Sequence, residues 1–356
     1  MKILLTGAAG FIGAHCALRL LREGHRVVGI DNFNDYYDPA LKEARLEWVR
    51  QQAGDFPLLR LDLANPEAVA SVFEDYRPEV VIHLAAQAGV RYSLSNPRAY
   101  LSSNIDGFLN ILEGCRAHPV EHLLYASSSS VYGANQRTPF SVHDNVDHPL
   151  SLYAATKKAN ESMAHTYSHL FGIPCTGLRF FTVYGPWGRP DMSPIRFAQA
   201  IMAGTPLPLF NHGHHQRDFT YIDDVIESLV RLLDKPPHAN PQWDRLRPDP
   251  ASSMAPWRLY NIGGHAPVEL LDYLAILEKH LGRRAQVEML PLQPGDVPDT
   301  CADVSDLQRA IDFQPRIGLD QGVANFVAWF RDYYPQDASA QQSDMTPMQI
   351  ATPCPR

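Results

Sequence analysis

No two cysteines in this chain are spaced as C-x-x-C. The five present (Cys16, Cys115, Cys175, Cys301 and Cys354) are odd in number and scattered along 356 residues. That argues against a disulfide framework and a cysteine-built zinc site, and suits a reducing compartment. Basic charge is also scarce. Thirty-one Lys and Arg against 39 Asp and Glu leave a net charge of −8, which is no footing for a nucleic acid. No apolar run reaches the roughly 18 residues that a membrane span needs. The opening KILLTG lacks a signal-peptide layout. The expected location is therefore the cytoplasm, with neither nucleic acid nor membrane as a partner. What is present is ordinary: 45% hydrophobic and 20% charged residues, in a chain long enough to bury a real core as one large or two moderate domains.

Apolar runs and helical patterns alternate through the first half. KILLTG, HRVVGID, FPLLRLDL, EVVIHLAA and EHLLYASS read as strands; AHCALRLLREG and NILEGCRAH read as helices. Such β-α repetition predicts a parallel, doubly wound α/β sheet with right-handed crossovers. Residues 234–257 are proline-rich and aperiodic, which predicts a surface excursion. The polar tail from about Pro335 predicts disorder.

TGAAGFIG (6–13) follows the first strand and opens the first helix, with Gly7, Gly10 and Gly13 spaced G-x-x-G-x-x-G. Glycines permit a tight turn and close backbone approach, and the helix N-terminus offers amides and a positive dipole to a pyrophosphate. Asp31 ends the second strand, 18 residues after Gly13. A carboxylate there accepts hydrogen bonds from adenosine ribose hydroxyls and repels a 2′-phosphate, which favours NAD over NADP. LDL (61–63) closes the third strand, so Asp62 and Leu63 can flank the adenine. HLAAQAG (83–89) closes the fourth, placing Ala85, Ala86 and Gln87 along the dinucleotide.

LYAATKKANESMAHTYSHLFG (152–172) reads as a helix on which Tyr153 and Lys157 share a face. A phenol of pKa ~10 is a weak base at neutral pH, but a neighbouring cation favours phenolate and useful proton transfer. YASSSSVYG (125–133) delivers four hydroxyls at a strand's carboxyl end, where open α/β sheets bind ligands. Ser128 there can hydrogen-bond the reacting oxygen, while Ser127 is assigned to structure.

In this order, the motifs resemble the extended short-chain dehydrogenase/reductase family, and within it the NAD-dependent sugar-nucleotide epimerases. The closest likeness is to bacterial UDP-glucuronate 4-epimerases. It runs from Met1 to about Tyr334 on DNFNDYYDPALKEARL (31–46), AAQAGVRYS (85–93), YASSSSVYG, YAATKKANE, LRFFTVYGPWGRPDM (178–192), RDFTYIDD (217–224) and QPGDVPDT (293–300). The resemblance implies a Rossmann-type NAD-binding domain over 1–178 and a smaller C-terminal α/β domain over 179–334 for the UDP-sugar, with the chain crossing back in part. It implies a homodimer. It adds Phe11, Ile12, Asn32, Asn104 and Phe180 to the cofactor residues, with Asn104 supporting the central strand turns. Tyr153 becomes the base at the sugar C4 hydroxyl, Ser128 its partner, and Lys157 the nicotinamide-ribose ligand that lowers the tyrosine pKa. Arg217 is assigned to the UDP phosphates and Asp296 to the uridine ribose; Gln293 stands where galactose-acting relatives often carry arginine.

The implied reaction is 4-epimerisation of UDP-glucuronate to UDP-galacturonate through a transient 4-keto sugar, as a precursor for cell-surface polysaccharide. A 4-keto uronate is a β-keto acid, so its carboxylate must be held against loss of CO₂. Ser129, Ser130 and Thr182 offer hydroxyls for that, and Arg189 a fork-like cation. Related dehydratases carry Asp-Glu directly after the catalytic hydroxyl, and decarboxylases a Glu two places after it; here both places are serine. The alternatives are a 4-epimerase of UDP-glucose, UDP-galactose or an N-acetylated uronate, a UDP-glucuronate decarboxylase, and a dinucleotide sensor without catalysis. NHGHHQ (211–216) suggests metal but is assigned to a hairpin turn, and no metal is expected. Tyr36 and Tyr37 either cover the cofactor or sugar, or pack.

Overall fold

The computed structural model describes residues 1–292 and 299–334. Seven strands make the central sheet: β1 (Lys2–Thr6), β2 (Arg26–Asp31), β3 (Leu58–Arg60), β4 (Val80–His83), β5 (His122–Ser128), β6 (Cys175–Phe180) and β10 (Trp257–Ile262). All pair in parallel, in the order β3-β2-β1-β4-β5-β6-β10. Helices cover both faces, so these strands are almost continuously apolar rather than alternating. Strand order reverses between β1 and β4, and a crevice opens there at the carboxyl edge. That edge receives the glycine loop after β1, residues 84–89 after β4 and the serines after β5.

Local chemistry sets the helix ends. In α1 (Phe11–Arg22) the apolar stripe ends before Gly24, which takes φ 80°. In α2 (Pro39–Ala53), Pro39 opens the helix and the Asp38 carboxylate accepts from the Ala40 amide at 2.8 Å. Asn65 caps α3 (Pro66–Tyr76) in the same way. Two single turns, α4 (Tyr92–Ser95) and α5 (Pro97–Tyr100), lead through a π-helical turn, Leu101–Asp106, into α6 (Gly107–Ala117). Ser151 caps α7 (Leu152–Phe171), which stops at left-handed Gly172.

The remaining elements build a second lobe: β7 (Thr182–Tyr184), α8 (Ser193–Ala203), β8 (Pro206–Leu209), β9 (Gln216–Tyr221), α9 (Ile222–Leu232), β11 (Pro267–Glu269), α10 (Leu270–Leu281), β12 (Gln286–Met289), α11 (Ser305–Ile311) and α12 (Leu319–Tyr333). Its core is continuous with one face of the central sheet, running from Ile3 and Leu5 to Tyr273 and Phe330.

Three expectations need correction. β3 ends at Arg60, so Asp62 and Leu63 stand in the loop beyond it. β8 pairs with β12 and β9 with β7 and β11, so NHGHHQ does not turn a hairpin. No cluster of three metal-binding side chains occurs among the described residues. The proline-rich excursion is only partly superficial, because Ala251, Ser252, Ser253 and Ala255 are buried beside β10. The tail beyond Tyr334 lies outside the described residues.

Buried histidines set an acid limit to stability. Burial lowers His15 to about 4, His83 to about 3 and His122 to about 4. The unfolded chain takes up these protons near pH 6.5, before the folded one does. Their stabilising contribution is present above that pH and is lost as pH falls toward 4. His143 acts on the other side. It bridges Asp306 at 2.8 Å and Asp249 at 2.7 Å, chiefly the Asp306 bond raising it to about 9. Its half-exposed contribution is full below pH 6.5 and gone above 9. Thermal midpoints should fall on both sides of neutrality, and His143→Gln should flatten the alkaline limb; because His143 also holds Asp306 and Asp249 below the usual range, any change on the acid side is confined to the carboxylate range. An unchanged alkaline limb would refute the bridge.

Candidate active site

The glycine loop packs tightly against its own backbone and against the loop after β4. A Cβ on Gly13 would overlap the Gly7 carbonyl oxygen, and one on Gly7, at φ 72°, would lie 2.8 Å from the Ala85 amide nitrogen. Strand, loop and helix therefore close to backbone contact, with the first-turn amides of α1, from Phe11 and Ile12 onward, at the crevice. Such a cradle fits a diphosphate. Asp31 is buried at the end of β2, accepts from the Ala9 and Phe33 amides at 3.1 and 2.9 Å, and lies 3.7 Å from buried Lys42. Asn32 donates to Asp62 at 3.0 Å, joining the two exposed residues at one lip, and Leu63 is buried beneath them.

Across the crevice, Ala85 and Ala86 are partly exposed and Gln87 is buried. Asn104, buried in the π-helical turn, accepts from the Gln87 amide at 2.8 Å and donates to the Gln87 carbonyl at 3.1 Å and to Thr156 at 3.0 Å. Asn160 in turn donates to the Asn104 carbonyl at 2.6 Å. The turn thereby links the loop after β4 to α7. Phe180 pairs with Ser128 at the end of the sheet.

Tyr153 stands in the first turn of α7, its ring 6.1 Å from that of Tyr100. Burial raises its phenol above the ordinary value. The nearby Ser128 hydroxyl and the Arg189 charge pull it back, and Asp191 pushes it further up. Arg189 is thus a cation that bears on the Tyr153 phenol. One turn deeper, Lys157 donates to the Ala126 carbonyl at 2.9 Å, and burial lowers it to about 8 against the opposing charge of Glu161. Ser128 donates to the Ser130 hydroxyl and accepts from its amide, both at 3.2 Å, within the tight turn that also holds Ser129. Ser127 instead donates to Glu161 at 2.6 Å, and Glu161 takes a bidentate fork from buried Arg179 at 2.8 and 2.9 Å. That ion pair ties β6 and α7 together, so Ser127 is structural.

The second lobe faces this group. Thr182 opens β7, half-buried. Arg189 makes a two-pronged contact with Asp191, and the Tyr36 hydroxyl donates to Asp191 at 3.0 Å. Burial alone would raise the Asp191 carboxyl; the paired guanidinium and Tyr36 hold it below the usual range. Tyr37 accepts from Arg45 at 2.7 Å. Arg217 lies on β9, donating to the Gln216 carbonyl at 3.0 Å. Asp296 and Gln293 lie outside the described residues. Sequence reasoning missed Asp191 and Arg45, although both fall inside quoted motifs, because an acid or base in a loop or helix carries no sign of its partner.

Residues 3–243 match the model of the NAD dependent epimerase/dehydratase family. The chain is 54% identical over 334 residues to Protein CapI of Staphylococcus aureus, covering 94% of this chain and 99% of that protein. It is 48% identical over 338 residues to a probable UDP-glucuronate 4-epimerase of Rhizobium meliloti, covering 94% and 98%. Its structure matches that of a UDP-glucuronic acid 4-epimerase from Bacillus cereus, solved with UDP-glucuronic acid and NAD, at a TM-score of 0.81 and 33% identity, covering 94% of this chain and all of that one. A glycine cradle at the switch point, a Ser–Tyr–Lys group beside it and these likenesses agree: the chain belongs to the NAD dependent epimerase/dehydratase family.

Proposed function

We propose that the protein is a UDP-glucuronate 4-epimerase, interconverting UDP-glucuronate and UDP-galacturonate with tightly held NAD. The observation that carries the reading is Arg189, a partly buried guanidinium held on Asp191 and, through it, on Tyr36, whose ring leads by way of Tyr92 and Tyr100 to Tyr153, the residue that would take the C4 hydroxyl proton. Residues 7–13, 31–32, 62–63, 85–87, 104, 153, 157 and 180 would hold the cofactor. When bound, NAD supplies a hydride acceptor that gives the hydride back, so no net redox occurs. Tyr153 holds the C4 hydroxyl proton and returns it, with Ser128 guiding the oxygen. Lys157, kept close to its deprotonation point, binds the ribose beside it. Arg189, Ser129, Ser130 and Thr182 hold the uronate carboxylate so that its C–C bond stays out of line with the C4 carbonyl π system. No acid stands at positions 129–130 to drive elimination or decarboxylation. Arg217 and Asp296 are assigned to the UDP moiety.

Purified protein incubated with UDP-glucuronate and no added cofactor should yield UDP-galacturonate without pentose. UDP-xylose, or no turnover with NAD present, would overturn the reading. The product's use is transfer into a cell-surface polysaccharide.

We also infer residues 1–178, with β10, as the cofactor domain and most of 179–334 as the substrate domain. A homodimer through α6 and α7 accounts for exposed Leu101, Leu109, Leu170 and Phe171. A monomer by light scattering would refute it. No helix among the described residues is long and apolar enough to cross a membrane. The four free thiols among the described residues support a cytoplasmic location, which cell fractionation tests.

A further inference from the structure

Arg45 is fully buried in α2, yet its hydrogen bonds end on neutral oxygens from three separate segments. Nε donates to the Trp187 carbonyl at 2.9 Å and Nη2 to the Gly188 carbonyl at 2.8 Å. Nη1 donates to the Ala9 carbonyl at 3.2 Å and to the Tyr37 hydroxyl at 2.7 Å. A buried guanidinium is costly and usually sits against a carboxylate. Here its charge instead weighs on its neighbours, helping to lower Lys42 and His15. What the arrangement gains is geometry, since one planar fork joins the glycine loop, the 36–37 segment and the loop that carries Arg189.

The far side of that loop is held as firmly. Trp187 takes a left-handed backbone, φ 62°, unusual for a bulky side chain. Its ring lies between Trp48 of α2, at 5.7 Å, and Trp329 and Tyr333 of α12, at 5.4 and 5.1 Å. Arg189 follows one residue after the second carbonyl that Arg45 grips.

We infer that Arg45 is a positioning residue: it fixes the Arg189 loop against the dinucleotide loop, so that the anion clamp and the hydride site keep one register. This rests on the epimerase reading above. Misplacement of such a clamp by about 1 Å is enough to cost on the order of a hundredfold in rate.

The test is a double-mutant cycle on UDP-glucuronate turnover, with wild type, Arg45→Met, Arg189→Ala and the double variant. Arg45→Met should raise KM about tenfold or more and change kcat less, and the double variant should match Arg189→Ala in KM. Arg45→Lys should not rescue, because an ammonium's three donors leave one point, whereas the planar fork spreads four bonds over three separate segments. Additive effects, or an unchanged KM in folded protein, overturn the proposal. Tyr37→Phe removes a single partner and replaces Arg45→Met in the cycle if that variant does not fold, with a smaller shift in the same direction. Hydrogen exchange at the amides of 188–192, measured without substrate, should quicken in Tyr37→Phe; unchanged exchange there also overturns it. If wild type fails on UDP-glucuronate, the epimerase reading falls, while the exchange result still decides the role of Arg45.

Discussion

Tyr153→Phe should lose turnover by about 10²- to 10⁴-fold, the usual range for removing a positioned proton-transfer group, while keeping the fold and its bound NAD. The change deletes one oxygen. The ring remains against Tyr100, and the Ser151 cap that starts α7 is untouched. The hydrogen bonds of the neighbouring turn are kept, because Ser128 donates to Ser130. Product formation, far-ultraviolet circular dichroism and the nucleotide released on denaturation check the three parts separately. Activity within about tenfold of wild type would remove Tyr153 from the mechanism. The raised phenol also gives the pH profile a direction. In wild type the acid limb should lie on the alkaline side of the bare-cation expectation, and Tyr153→Phe should abolish that limb.

Arg189→Ala should separate uronate from neutral sugar. Charge-assisted hydrogen bonds are worth about 1.5–3 kcal/mol, so KM for UDP-glucuronate should rise on the order of ten- to a hundredfold. Binding of a neutral UDP-hexose should change by less than about threefold. The truncation also leaves Asp191 half-buried with Tyr36 as its remaining partner, and an unpaired carboxylate there would repel the substrate anion. Arg189→Ala combined with Asp191→Ala removes that repulsion. The double variant should recover part of the lost affinity while remaining well short of wild type. An equal loss for charged and neutral sugars in both variants would end the carboxylate assignment.

Much of the site was readable because it is built on period and punctuation. The glycine spacing at 7, 10 and 13 follows a strand and starts a helix, and no other residue tolerates those contacts with Ala85 and Gly7. Tyr153 and Lys157 share a face because four residues make about one helical turn. The boundary errors have physical causes as well. FPLLRLDL is mostly apolar, but β3 is an edge strand with only β2 to pair with, and three residues suffice. NHGHHQ has the polar look of a hairpin, yet β8 found its partner in β12, some eighty residues away. Nothing within a strand states which partner it will take.

The sequence alone determined the doubly wound sheet, the glycine cradle and the helical Tyr–Lys pair, since each follows from local sterics and from burial repeating at short intervals. Only the tertiary structure decided which charges meet. Asp191 beside Arg189, Tyr36 upon Asp191, and Arg45 between the glycine loop and residues 187–188 join segments more than a hundred residues apart, apart from the first of these pairs. A side chain's charge is written in its chemistry, but its electrostatic partner is set by packing, and packing depends on the whole chain at once.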